Sequence, residues 1–192
     1  GNAYSKKSIN QIYKLKMRPW SNPLIIHYYS MNEAINDVVM DSIFKKLYKK
    51  FCPGPITFIL KKKRNSRINS LACAKLETIA VRFPKHKIIR SILKKINFPL
   101  AMPSANKSTN VSPVDPKDVW DEFKRKVKLI IDGGRCKYGI ESTVIDLTNK
   151  PKILRPGIIN KSVIEKILQI KIKNSKGGKK IKAPGMLKKH YS

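Results

Sequence analysis

Hydrophobic residues in this 192-residue chain recur at two spacings. Five stretches carry the three-to-four-residue repeat of an amphipathic helix. In the first, Ile9, Ile12 and Tyr13 share a face, Ser5 stands where an N-cap is needed, and Pro19 closes the segment. Residues 41–51 set Phe44, Leu47, Tyr48 and Phe51 against a lysine-covered face, and residues 85–96 do the same with Ile88, Ile89, Ile92, Leu93 and Ile96. A fourth helix, capped by Asp115 or Ser112, runs through "VWDEFKRK", and a fifth covers 160–170. Between them lie short apolar runs bounded by Pro and Gly: 23–29, 56–60, 78–83, 99–102, 128–132, 142–147 and 152–155. Each predicts a strand, and the turn at "TNKP" joins the last two as a hairpin. Strands alternating with helices, plus one hairpin, predict a single α/β domain around a mixed sheet. That domain covers 1–170; residues 171–192 lack apolar periodicity and read as a basic linker or tail.

Composition adds one unusual feature. With 42 Lys and Arg against 12 Asp and Glu, the formal net charge is +30, a surface that attracts polyanions and nucleic acid first among them. A Lys-, Ile- and Asn-rich chain is also what an A/T-rich genome encodes, so the charge alone supports two readings. Cys52, Cys73 and Cys136 are widely spaced without a CxxC, which argues against a zinc site or a disulfide framework and fits a reducing cytoplasm. No apolar run is long enough to span a membrane. Neither a Walker A sequence nor GxGxxG is present, so a nucleotide would need another device.

Four polar clusters border predicted strand ends, where open α/β sheets place their ligands. In "KMRPWSNPLIIH", Lys16 and Arg18 lie in a loop stiffened by Pro19 and Pro23, followed by Asn22 and His27; two such cations suit phosphate or carboxylate. In "TIAVRFP", Arg82 interrupts an apolar strand and either points outward or meets a buried anion, with Thr78 on the same side of the strand. "PLAMPSANKSTNVSP" crowds short hydroxyl and amide side chains behind a buried strand. "GIESTVIDL" places Ser142 and Thr143 after Gly139, an arrangement that serves as an anion nest or as plain turn chemistry.

The order of these clusters is more specific than any one of them. "KMRPWSNPLIIH", "PGPITFIL", "VRFP", "PSANKSTNVSP", "GIESTVIDL" and "ILRPG" follow one another over residues 1–170, and the chain resembles the YrdC family of threonylcarbamoyl-adenylate synthases. The family hallmark, K-x-R followed much later by S-x-N, falls on Lys16, Arg18, Ser104 and Asn106. The resemblance implies a twisted mixed α/β sheet with a positively charged concave face. It also implies synthesis of threonylcarbamoyl-AMP from L-threonine, bicarbonate and ATP, with Mg2+ on the phosphates. Pyrophosphate is released, and the product feeds the tRNA threonylcarbamoyl transferase machinery that modifies tRNA beside the anticodon. By motif match, Lys16, Arg18, Asn22, Thr78, Ser104, Ser112, Arg155 and Tyr191 fall on the nucleotide. His27, Arg82, Met102 and Ser142 fall on the threonine. The family's "PTETVYGL"-like segment would lie just before Gly1, and "APGMLKKHYS" matches the linker of longer members, so a long member shortened at both ends is expected. Two rivals stand beside this reading: a non-enzymatic double-stranded RNA or ribosome-binding module, favoured by the charge, and a carbamoyl-transfer domain of metalloenzyme maturation.

Overall fold

A computed structural model describes residues 1–137 and 139–174. Seven strands form one sheet: β1 (Ile25–His27), β2 (Ile56–Lys61), β3 (Thr78–Arg82), β4 (Leu100–Ala101), β5 (Thr143–Asp146), β6 (Lys152–Arg155) and β7 (Lys173–Asn174). Their order across the sheet is β4-β1-β3-β2-β5-β6-β7. β1 with β3, β2 with β5 and β6 with β7 are parallel, the other neighbours antiparallel, so the sheet is mixed as the alternating pattern predicts. The β5–β6 hairpin forms, with a register shift between Val144 and Ile145.

The helices follow their apolar faces. In α1 (Lys6–Lys16) the Ser5 hydroxyl accepts from the Ser8 amide, Ile9 and Tyr13 are buried, and Met17 ends the helix in the left-handed region. α3 (Ser42–Phe51) is capped by Asp41 and buries Phe44 and Leu47. α4 (Lys87–Lys95) buries Leu93. Of the two caps weighed for α5 (Pro116–Phe123), Asp115 is the one used, in a reciprocal capping box with Asp118. α6 (Lys161–Leu168) buries Ile164. One short helix, α2 (Met31–Ala34), has too few residues to show a period in sequence.

The two faces of the sheet differ. Ile26, Val81, Phe58 and Ile145 project into the main core with Phe44, Leu47 and Phe83. The opposite face holds only a small cluster of Ile25, Ala80, Ile59 and Val144. Alternation then places His27, Arg82 and Thr57, two residues along from members of that cluster, on the thinly covered face.

Two expectations fail. The run "KLIID" at 128–132 is not a strand: Leu129 is 73% exposed and Ile131 53%. The places beside β4 and β6 are already filled by other segments. Beside β4, Asn2 bridges Leu100, the Ala3 amide donates to the Pro99 carbonyl, and the Ala101 amide donates to that of Gly1; beside β6 lies β7. β7 itself, with Ile172 buried just before it, lies in the stretch read as featureless, because two residues are too few for a pattern.

Candidate active site

The Lys16–Arg18 loop is built by its own side chains. The Arg18 guanidinium, 8% exposed, donates through Nε to the Asn22 carbonyl at 2.9 Å and through Nη2 to Asn22 Oδ1 and the Pro23 carbonyl, both at 2.7 Å. The Tyr13 hydroxyl also donates to the Asn22 carbonyl, tying the loop to α1. Lys16, 4% exposed, donates from Nζ to the Ser104 carbonyl at 2.5 Å and to the Asn106 carbonyl. The Ser108 amide answers by donating to the Lys16 carbonyl at 2.7 Å. The separated K-x-R and S-x-N segments are therefore one cluster in space. Asn106 Nδ2 donates to the Lys107 and Asn110 carbonyls, while Glu122 of α5 accepts from the Lys107 amide and Asn110 Nδ2. This pins the loop from below.

A single rung of the sheet carries the next set. His27 of β1 pairs with Arg82 of β3, and Arg82 with Thr57 of β2. The next pairings run from Thr57 to Val144 of β5 and from Val144 to Arg155 of β6. Ser142, two residues before Val144, is held by this row. Thr57 Oγ1 lies 2.8 Å from Ser142 Oγ. Arg155 donates to the Ser142 carbonyl from Nε and Nη2, at 3.1 and 2.9 Å, and to Ser142 Oγ from Nη2 at 3.0 Å. Its Nη1 pairs with Glu141. Gly157 of "LRPG" packs against this corner: a Cβ there would lie 2.5 Å from the Glu141 carbonyl and the Thr143 amide.

Electrostatics join the two sets. Burial pushes the Lys16 ammonium down to about 8, helped by Arg18 and opposed by Glu122 and Glu141. Arg18 and Arg82 are also lowered, first by burial; Arg155 adds to the effect on both and Glu141 opposes it. Lys16, Arg18, Arg82 and Arg155 thus share the field of Glu141, a surplus of positive charge at one end of the sheet. Arg82 Nε is buried without a hydrogen-bond partner, as are Asn22 Nδ2 and Asn106 Oδ1. Buried polar atoms left open in this way call for a further partner, a ligand or an ordered water. His27 is held neutral, lowered to about 3 by burial and then by Arg82, while its Nδ1 faces the Ile25 carbonyl at 3.1 Å.

Of the expected residues, Lys16, Arg18, Asn22, Ser104 and Asn106 gather on one side, and His27, Arg82, Ser142 and Arg155 on the other. The Met102 amide donates to the Ile25 carbonyl, continuing β4 beside β1. Thr78 shares a face with Arg82 but stands at the opposite end of β3, about 13 Å away along the strand. Ser112 is half-buried in the loop before α5. Tyr191 lies outside the described residues. Thr57 and Glu141 were given no role from sequence, although "PGPIT" and "GIEST" both hold a polar side chain beside an apolar strand.

The family description that matches residues 1–157 is Sua5/YciO/YrdC, telomere recombination. The chain belongs to the Sua5/YciO/YrdC family. Within it, the chain is 39% identical to the threonylcarbamoyl-AMP synthase of Pyrococcus abyssi, over 100% of this chain and 57% of that protein. It is 34% identical to the Bacillus subtilis enzyme of the same name, over 100% and 56%. Among solved structures, P. abyssi Sua5 complexed with L-threonine superposes with a TM-score of 0.91 at 37% identity, over 97% of this chain and 56% of that one. The chain therefore spans about half the length of these Sua5-family relatives. The mixed α/β sheet expected from the motifs is the family fold.

Proposed function

We propose that this chain is the catalytic domain of a threonylcarbamoyl-AMP synthase, a nucleotidyltransferase. The observation that carries the reading is the set of buried or half-buried cations Lys16, Arg18, Arg82 and Arg155 at one end of the sheet, of which Arg155 alone is ion-paired among the described residues, with Glu141, while Arg82 Nε is unpartnered. Such a site suits two anions at once, a triphosphate and an amino-acid carboxylate. The family relatives that carry the synthase name, and a relative solved with L-threonine, support the assignment of those anions.

In this reading the α-amine of L-threonine, having lost a proton, adds to the carbon of bicarbonate; water leaves and a carbamate forms. A carbamate oxygen then attacks the α-phosphorus of ATP. The α–β phosphoanhydride bond breaks, and pyrophosphate departs with the negative charge. Lys16 and Arg18 stand over the triphosphate with Asn22, Ser104 and Ser112; Arg155 and Thr78 serve the rest of the nucleotide. Arg82 takes the threonine carboxylate, with His27, Met102 and Ser142 around the amino acid. No covalent nucleophile is required, so rate enhancement comes from positioning and fixed charge. Among the described residues no group of three or more His, Cys, Asp or Glu could hold a metal. Mg2+ on the phosphates would be held mainly by the nucleotide's own oxygens and water, and would add to the charge that Lys16 and Arg18 supply there. The product would pass to tRNA threonylcarbamoyl transferase machinery. The free thiols of Cys52, Cys73 and Cys136 are consistent with a reducing cytoplasm.

The test is threonine-dependent exchange of pyrophosphate into ATP by the full-length protein. Exchange that requires both L-threonine and bicarbonate is expected. Exchange absent with threonine, while structured RNA binds tightly at physiological salt, would favour an RNA-binding role, the reading the +30 charge supports.

A further inference from the structure

We infer that Thr57 is a positioning residue that, through Ser142, aims a hydroxyl proton at the carboxylate of the amino-acid substrate. The inference rests on the synthase reading. A serine hydroxyl has one proton and two lone pairs. Arg155 Nη2 fills one lone pair of Ser142 Oγ at 3.0 Å. Thr57 Oγ1 lies 2.8 Å away, its one hydrogen-bond partner among the described residues, and either hydroxyl can donate.

The two directions are not equivalent once a ligand is bound. If Ser142 donates to Thr57, the Thr57 proton is left on a residue that is 0% exposed, whose hydroxyl has no second hydrogen-bond partner among the described residues. If Thr57 donates, both lone pairs of Ser142 are filled and its proton is free to reach outward. Thr57 and Ser142 share the thin face of the sheet with Arg82, whose Nε is also open. An anionic acceptor arriving between Arg82 and Ser142 completes the chain Thr57 to Ser142 to ligand, with every proton used. Glu141 holds Arg155 from behind and so fixes the other donor to Ser142.

Thr57→Val removes the hydroxyl and keeps the branched shape, so the strand is retained. Steady-state kinetics on the full-length protein should show KM for L-threonine raised about three- to tenfold, the effect of one lost hydrogen bond, with KM for ATP and kcat changed less than about twofold. Thr57→Ser, which restores the hydroxyl, should return KM for L-threonine to near the original value. An unchanged threonine KM in Thr57→Val overturns the inference, as does a parallel rise in both KM values or a failure of Thr57→Ser to rescue; each leaves the synthase reading standing. A wild-type protein without threonine-dependent exchange overturns the synthase reading and this inference with it.

Discussion

Lys16 shows how one side chain can serve both fold and chemistry. Two of its three protons hold the Ser104 and Asn106 carbonyls, leaving the third for a ligand. Its pKa, lowered to about 8, makes that donor sensitive to mildly alkaline pH. The charged form exists below about 8, so kcat/KM for ATP should fall as pH rises through that value, and Lys16→Arg should move the fall to higher pH. The sign for stability is opposite. Between about 8 and the ordinary value of 10.5 the unfolded chain holds a proton that the folded chain has released, so the Lys16 contribution to stability rises with pH there. Arg18 is expected to matter more. Charge-assisted hydrogen bonds are worth about 1.5–3 kcal/mol, so Arg18→Ala should slow pyrophosphate release at least about tenfold. An unchanged rate in a folded variant would remove Arg18 from the site.

At the scale of elements, the hairpin β5–β6 positions half the site, and Gly157 sets how closely its end approaches β5. With a Cβ due 2.5 Å from backbone atoms of Glu141 and Thr143, Gly157→Ala must push the chain after β6 away from Ser142. The expected result is a loss of about 1–3 kcal/mol in thermal or urea unfolding, together with raised KM values for both substrates. Stability unchanged within error would mean that the corner relaxes freely. A comparable anchor lies on the core side. The buried Asp37 carboxylate accepts from the Tyr28 hydroxyl at 2.9 Å, Ser66 Oγ at 2.7 Å and the Arg67 amide at 3.1 Å, holding the loop after β2 against the end of β1.

For the whole molecule, charge dominates. Thirty excess positive charges repel one another and attract polyphosphates. Affinity for an arbitrary RNA duplex should fall log-linearly with salt and vary little with sequence, as measured by fluorescence anisotropy across a salt series. A salt-insensitive, sequence-dependent affinity would instead indicate a dedicated RNA site. No helix among the described residues is long and apolar enough to cross a membrane.

Much of this protein could be read from local pattern. Apolar periodicity located α1, α3, α4, α5 and α6, because an amphipathic helix needs only neighbours three and four residues away. The apolar runs located β1 to β6 for the same local reason, while the ordered motifs named the family and the candidate site residues. What tertiary structure alone decided depends on partners far along the chain. "KLIID" has the composition of a strand yet pairs with none of the seven strands, and β7 pairs despite having no pattern at all. Thr57 gains a role only because pairing of β2 with β5 brings it 2.8 Å from Ser142, 85 residues away. Glu141 becomes the counter-ion of Arg155, near three further cations, because strands and loops from across the chain converge at one end of the sheet. Local pattern marks the residues that are unusual for their surroundings; the register of the sheet sets which of them meet.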